Sequence, residues 1–454
     1  MQIAAAGDRA VLLTGVPPLA MTAPGVLAAI PGHDSLLVIC DAPPDVDALA
    51  RAIAQAGTQA RATRTHAIAV HFDGADLPEL LAHASLSHEE FLARVRDVRL
   101  RVRYLGFRAG FAYCEGWPAE WRLRRRPTSR NRVPRGTFAV AGEMAGFYPV
   151  DSPGGWNLLG TTNASLWDPS REPPNLLMPG DEVTVVPLAA APQPFGPTTP
   201  SERGQGEIIG EVLSPGQFTL IAGPADYGRV AAGVPPGGPF DPRAAARANA
   251  MLGNREDAPL LECVMVGPTL RLTRRAAFCA GDEVRLFAAG EMAIGRFHGA
   301  LRGYLAIEGG FDEMRARYDE APHVLQRGEV LRGGNARGTA SAPERGSERL
   351  VIRIANGPHD APPLPVEWEV TNQLNRVGIR LRPLTPLAFT PPADLASCGM
   401  QFGTLQWHPD GSLIAMGPDH PVTGGYLQPA TVLWDERWKL GQLAPGERVK
   451  LVAV

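Results

Sequence analysis

Lysine is almost missing from this sequence. Of 44 basic residues in 454, only Lys439 and Lys450 are lysine, and neither follows a glycine. A phosphate-cradling P-loop needs Gly-Lys-Ser/Thr, so P-loop nucleotidases are excluded. The Met-Lys-Met acceptor of biotin is also missing, so biotin is not carried on this chain. Cysteine is sparse: Cys40, Cys114, Cys263, Cys279 and Cys398 are widely spaced, odd in number and form no Cys-x-x-Cys. They read as free thiols in a reducing cytoplasm. Long apolar runs are lacking, and no stretch is long enough to cross a bilayer. The uncharged segment from Ala10 to Gly32 is broken by Pro17, Pro18 and Pro24. Asp8 and Arg9 leave the residues before it without net charge, which argues against a signal peptide. Metal-ligand spacing is absent as well: "SHEE" has no second histidine at zinc distance, and "HPDG" at His408 reads as a hairpin turn. A net charge of -3 favours no polyanionic partner.

Glycine (50) and proline (44) are abundant, and they punctuate short apolar runs. That pattern predicts many short strands joined by tight turns. The length predicts several domains. Residues 1 to 65 mix buried strands, "AVLLTGV" and "DSLLVICD", with an amphipathic helix, "PDVDALARAIAQAG", that places Val46, Leu49 and Ile53 on one face. Ser87 and Glu90 in "SHEEFLARVRD" form a capping box. "VRLRVRYLGF" alternates as a half-exposed strand. Residues 94 to 135 hold 13 Arg against Asp97, Glu115 and Glu120, an excess of 13 − 3 = 10. Such a surface suits an anionic ligand, an acidic partner or nucleic acid, or is simply a solvated sheet face. Residues 189–207 read as a linker. A helix, "DPRAAARANAML", opens on Asp241 and Pro242, and a second polar stretch spans 333–348.

One device occurs twice. "FYPVDSPGGWNLLG" (147–160) and "HPVTGGYLQPATVLWDE" (420–436) both run Pro-Val, Gly-Gly, aromatic. Both lead to Leu-Trp-Asp, at 166–168 and 433–435. Both halves close on a Pro-Gly-acid turn and a short strand, "MPGDEVTVVPL" and "APGERVKLVAV". Glycine there permits close backbone approach or positive φ.

"YLGFRAGFAY", "RVPRGTFAVAGE", "YPVDSPGGWNLLG" and "LWDPSREPPNLLMPGDEV" together resemble the first component of the two-part 5-oxoprolinase or allophanate-hydrolase-like family, which is related to the carboxyltransferase domain of urea carboxylase. "DYGRVAAGVPPGGPFDPRAAARANAMLGN", "LLECVMVGPTL", "YLAIEGGFD" and "HPVTGGYLQPATV" resemble its second component. The chain looks like a fusion of the family's B and C components. The resemblance implies a mainly β, α+β protein with duplicated cyclophilin-like β-barrels and a small N-terminal α+β domain (1–65). A B-like barrel is expected over 66–188, the linker over 189–207, and a C-like region over 208–454 made of two barrel halves, about 208–335 and 349–454. It implies a cytoplasmic protein acting on a small amide such as 5-oxoproline, with a separate ATP-using A-type subunit or a biotin-carboxylase partner and no cofactor held by a motif of its own. Oligomers are compatible with it; nucleic acid and membrane are not expected partners. Arg125 and Arg130 match the family's Pro-Arg positions and suit bidentate anion binding. Gly154, Gly155, Trp156, Arg229, Asn249, Gly424, Gly425 and Tyr426 complete the substrate-binding candidates, and Asp241, Glu262 and His420 are the catalytic ones.

The departures are also informative. Ala109, Met144, Ala145, Val95 and Ala225 replace residues of the family pattern, several of them polar, and "EMRARYDEAPH" replaces a Gly-Ser-Arg-Ser-Thr segment. These losses support a second reading, a catalytically silent regulator resembling the histidine-kinase-inhibitor relatives of the B component. Retention of Arg125, Arg130, Asp241 and Glu262 supports the first.

Overall fold

A computed structural model describes the chain except for residues 17–22, 56–62, 127, 129, 194, 196–205, 299–300, 313–321, 339–347, 386–387 and 393–394. Most of the predicted linker and of the second polar stretch therefore lies outside the described residues, as does most of "EMRARYDEAPH".

The N-terminal unit is a four-stranded antiparallel sheet in the order Gln2–Ala5, Ala10–Thr14, Ser35–Cys40, Val26–Gly32, followed by the helix Val46–Gln55. Both predicted strands are buried because they are apolar on both faces: Leu13, Leu36 and Val38 pack with Leu49 of the helix. Leu12, Leu37 and Ile39 on the opposite face meet Val230 and Val422 of the second half. The sheet is sandwiched, which is why neither strand alternates in polarity.

A seven-stranded, nearly closed barrel follows. Its order is Asn157–Thr161, Thr137–Ala141, Met144–Phe147, Ala112–Glu115, Arg99–Leu105, Glu182–Pro187, Thr65–Val70. A bridge between His71 and Thr161 joins the outer strands. Leu100, Val102, Phe138, Val140, Phe147 and Val183 fill the core beneath the helices Leu77–Ala84 and His88–Val95. The predicted capping box is present: Ser87 Oγ accepts from Glu90 N (3.1 Å) while Glu90 Oε2 accepts from Ser87 N (2.8 Å).

The C-terminal barrel is closed, in the order Val351–Asn356, Leu427–Val432, Thr404–Trp407, Leu413–Met416, Gly378–Pro383, Glu367–Leu374, Arg448–Ala453. The two barrels share one topology. In each, the first strand pairs in parallel with the last: Thr65–Val70 with Glu182–Pro187, and Val351–Asn356 with Arg448–Ala453. The last strand then pairs antiparallel with the second. Each barrel also carries a small two-stranded ribbon, in which Gly154 pairs with Arg130 and Gly424 with Cys398. The repeated Gly-Gly device thus occupies equivalent ribbons of duplicated barrels, and the two Pro-Gly-acid turns lead into equivalent last strands.

Residues 208–335, expected as a barrel half, instead form two open sheets. One has four strands (Gly290–Ala293, Thr269–Leu272, Ile208–Ser214, Val330–Arg332), and the other has six (Glu283–Phe287, Ala276–Ala280, Arg302–Ile307, Leu260–Val264, Thr219–Ala222, His323–Val324). Ile209, Val212 and Leu270 of the first share a core with Leu261, Phe278 and Leu305 of the second, so the layers pack as a sandwich. The helix Pro242–Ala250 covers the six-stranded sheet. It starts as predicted, with Asp241 Oδ1 accepting from Ala244 N at 2.9 Å.

Candidate functional site

The two Gly-Gly-aromatic ribbons face each other across a junction between the barrels. Thr423 lies at its centre: its Oγ1 accepts from Phe107 N (2.9 Å) and sits 3.4 Å from the Tyr113 hydroxyl. A Cβ on Gly106 would collide with the Thr423 side chain, so glycine is required for the barrels to meet. Phe107 is held at φ 61°, a left-handed conformation that is unusual for a bulky residue and recurs at binding sites.

Beside this junction lies a cavity of about 250 Å³, lined by His33, Tyr104, Tyr113, Arg125, Glu143, Trp156 and Ser397 among others. It is of a size for a ligand comparable to an amino acid. Three units build it: His33 comes from the N-terminal hairpin, Leu395, Ala396 and Ser397 from the C-terminal barrel, and the rest from the first barrel. Tyr104 and Tyr113 stack at 4.4 Å, and Trp156 meets Tyr113 edge-on at 5.6 Å. Burial raises the pKa of both tyrosines. They are hydroxyl donors at neutral pH.

Arg125 reaches from the first barrel toward the second ribbon. Its guanidinium carbon lies 5.0 Å from the Tyr426 ring centre, and a Cβ on Gly425 would stand 3.7 Å from its Nη1. Among the described residues Arg125 makes no ion pair and no side-chain hydrogen bond, and its Nε is buried without a partner. The His408 ring packs on Tyr426 at 4.1 Å. The predicted turn is present there, with Gly411 N donating to His408 O at 2.9 Å.

Thus Arg125, Trp156, Gly425 and Tyr426 converge. None of Gly154, Gly155, Gly424 or Gly425 has positive φ, and at Gly154, Gly424 and Gly425 the reason for glycine is close approach. A Cβ at Gly154 would strike the Tyr148 hydroxyl, and one at Gly424 would strike the Gln406 amide.

The other candidates lie elsewhere. Arg130, expected to pair with Arg125 on a ligand, is turned to Asp76, which it holds at 2.7 and 2.8 Å. Asp76 is buried and also accepts from Arg126 (2.9 Å) and Leu158 N (2.7 Å). Much of the basic excess is neutralised in the same way: Arg103 by Asp34 and Glu115, and Arg132 by Asp151.

Glu262 and Asp241 sit at the seam between sandwich and second barrel. Glu262 Oε1 accepts from Arg376 (2.9 Å), and Oε2 accepts from Phe240 N (2.8 Å) and Tyr304 (3.2 Å). Burial pushes this carboxyl up, but Arg376 and Arg302 outweigh it and hold it below its ordinary value. Arg376 also binds Asp419 through two contacts of 2.8 Å. Asp241 spends its second oxygen on Gln442 (2.8 Å), and burial raises its pKa. Every oxygen of these two carboxylates accepts a hydrogen bond within the seam, and both residues are buried. His420 is buried too, with Nδ1 2.9 Å from Pro421 O. Burial lowers its pKa to about 4, so it is neutral at pH 7. Asn249 ties the helix end to Glu256 O, Ala258 O and Asn254. Arg229 pairs with Asp226 at 2.7 Å, on a short helix against the N-terminal sheet.

Sequence reasoning missed His33, Tyr104, Tyr113, Glu143 and Ser397. Only Tyr104 carried a signal, as the polar-tipped member of an otherwise aliphatic strand face. Of the substituted family positions, Met144 lines the cavity, whereas Val95 and Ala145 lie in the barrel core. A larger groove of about 640 Å³ on the outer wall of the second barrel has its arginines paired, Arg380 to Asp410 and Arg382 to Glu369 (both 2.9 Å).

Two barrels of one topology with a composite cavity beside their junction define a duplicated-barrel protein. Residues 18–177 match the family described as carboxyltransferase domain, subdomain C and D, and residues 232–453 match subdomain A and B. The chain is 34% identical to the B component of 5-oxoprolinase from Escherichia coli O157:H7 over 203 residues, 40% of this chain and 93% of that protein. It is 25% identical to the C component of 5-oxoprolinase from E. coli K12 over 281 residues, 53% of this chain and 90% of that protein. Urea amidolyase of Lachancea kluyveri matches at 26% over 54% of this chain, which spans only 17% of that enzyme. The solved structure of TTHA0988 superposes with a TM-score of 0.80 at 29% identity, covering 98% of this chain and 99% of that one. The chain belongs to the carboxyltransferase-domain family of the 5-oxoprolinase B and C components, with a B-like and a C-like half in one polypeptide. No helix among the described residues is long and apolar enough to cross a membrane.

Proposed function

We propose that this chain acts on a small amide such as 5-oxoproline, bound between the barrels, together with a separate ATP-using subunit. The observation that carries this is Arg125, an unpaired guanidinium in a small cavity walled by aromatic rings. It supplies a charge-assisted contact to a carboxylate or developing oxyanion. Trp156 and the stacked tyrosines cover a planar ligand, and the tyrosine hydroxyls add neutral donors. A charged, aromatic-lined cavity favours a ligand-handling protein over the silent regulator. The ATP step is assigned to the partner because the chain carries no P-loop. The relatives matching the two halves are named as B and C components of 5-oxoprolinase, which supports a multi-component assembly.

Reconstitution tests the reading. The purified chain with ATP, magnesium and 5-oxoproline should release neither phosphate nor glutamate, and adding the A-type subunit should start both. Turnover by the chain alone, or none with the A-type subunit, would sink the proposal. Calorimetric binding of 5-oxoproline should weaken at least about tenfold in Arg125→Gln, the loss expected for one charged hydrogen bond.

A further inference from the structure

The strand Glu283–Phe287 forms the outer edge of the six-stranded sheet and pairs on its inner side with Ala276–Ala280. From Glu283 to Leu286 every residue is exposed, including Val284 (43%) and Leu286 (55%). Among the described residues no backbone hydrogen bond reaches this strand from outside the sheet. It carries no proline and its pairing has no bulge. Proline and a bulge are two of the guards against edge-to-edge pairing, and an edge without them presents its free N–H and C=O groups to a strand whose side chains complement Glu283 and Arg285.

We propose that this edge pairs with the same strand of a second copy, antiparallel about a two-fold axis at Val284. The charge pattern suits a second copy and separates the registers centred on Glu283, Val284 and Arg285. A two-fold perpendicular to the sheet keeps the two faces distinct, so it must pass through a residue position. Centred on Val284, it sets Glu283 of each copy opposite Arg285 of the other. Centred on Glu283 or Arg285, it would set like charges opposite each other, which opposes pairing. Within one chain, Glu283 and Arg285 already lie on one face, 2.5 Å apart, so pairing would extend that contact into a four-charge ladder. On the opposite face, Val284 meets Val284 of the partner strand beside Leu286. The result is a continuous twelve-stranded sheet, from six strands in each copy. An interface of one short strand per copy lies well below the ~1,200 Å² of stable complexes, so association is weak and concentration-dependent.

Sedimentation velocity across the micromolar range tests this with the full chain. The wild type should show a weight-average sedimentation coefficient that rises with concentration. Glu283→Arg and Arg285→Glu should each remain monomeric, since each opposes like charges across the axis. An equimolar mixture of the two should associate, because every cross-strand pair is again opposite in sign, and the double swap should restore self-association. These side chains are exposed, so folding is retained and circular dichroism confirms it. A wild type that stays monomeric throughout, single variants that associate like the wild type, or a mixture that does not associate would each overturn the proposal.

Discussion

Arg125 and Arg130 sit five positions apart in one basic segment, yet their substitution should give opposite results. Replacing Arg130 by Gln removes two contacts, of 2.7 and 2.8 Å, to a buried carboxylate. Breaking a buried ion pair costs about 3–5 kcal/mol. Here Asp76 keeps Arg126 and the Leu158 amide, and Arg130 is itself 25% exposed, so about 2 kcal/mol is expected. For one barrel that corresponds to a fall of several degrees in melting temperature. Arg130 Nη1 also donates to Trp156 O at 3.3 Å, so some loosening of the cavity wall should follow. Among the described residues, replacing Arg125 removes its contact with the Tyr426 ring, worth about 0.5–1 kcal/mol, together with the cavity's guanidinium. Differential scanning fluorimetry beside calorimetric titration with 5-oxoproline separates the two. The expected outcome is a destabilised Arg130→Gln and a stable, non-binding Arg125→Gln. If Arg125→Gln melts as early as Arg130→Gln, or Arg130→Gln keeps its melting point while losing the ligand, the assignment is wrong.

Arg376→Met should strip Asp419 of its ion pair with Arg376 and leave Arg302 as the remaining ion-pair partner of Glu262 among the described residues, costing about 3–5 kcal/mol; an unchanged thermal midpoint would refute the seam's role. Gly154→Ala and Gly424→Ala should each cost about 1–3 kcal/mol, because the added Cβ meets Tyr148 and Gln406; wild-type denaturation midpoints for both would show that the ribbons can yield. His408 and His420 are both lowered to about 4, chiefly by burial, so between pH 4 and 6.5 the unfolded chain binds protons that the folded chain excludes. Stability should therefore be flat above pH 6.5 and fall as pH drops toward 4, by about 3 kcal/mol for each histidine. Equilibrium denaturation that is level between pH 7 and 5 would contradict this.

Local signals in the sequence determined the elements whose physics is local. The Ser87–Glu90 box, the Asp241 cap with Pro242, and the alternation of Arg99–Leu105 each depend on residues within a turn or strand of one another. The doubled Pro-Val, Gly-Gly, aromatic pattern correctly marked equivalent ribbons, because in both a packed side chain, Tyr148 beside Gly154 and Gln406 beside Gly424, leaves no room for a Cβ. Only the tertiary structure decided which polar residues are free. Arg125 and Arg130 look alike in sequence, and what separates them is Asp76, 54 positions from Arg130 in the chain, which takes one and leaves the other. Asp241 and Glu262 look catalytic until Gln442, Tyr304 and Arg376 occupy their oxygens. His33 enters the cavity only because an N-terminal hairpin lands beside Ser397, whose carbonyl accepts from His33 N at 2.7 Å. A charge's role depends on whether a partner reaches it, and the partners here come from distant strands brought together by closure of the two barrels.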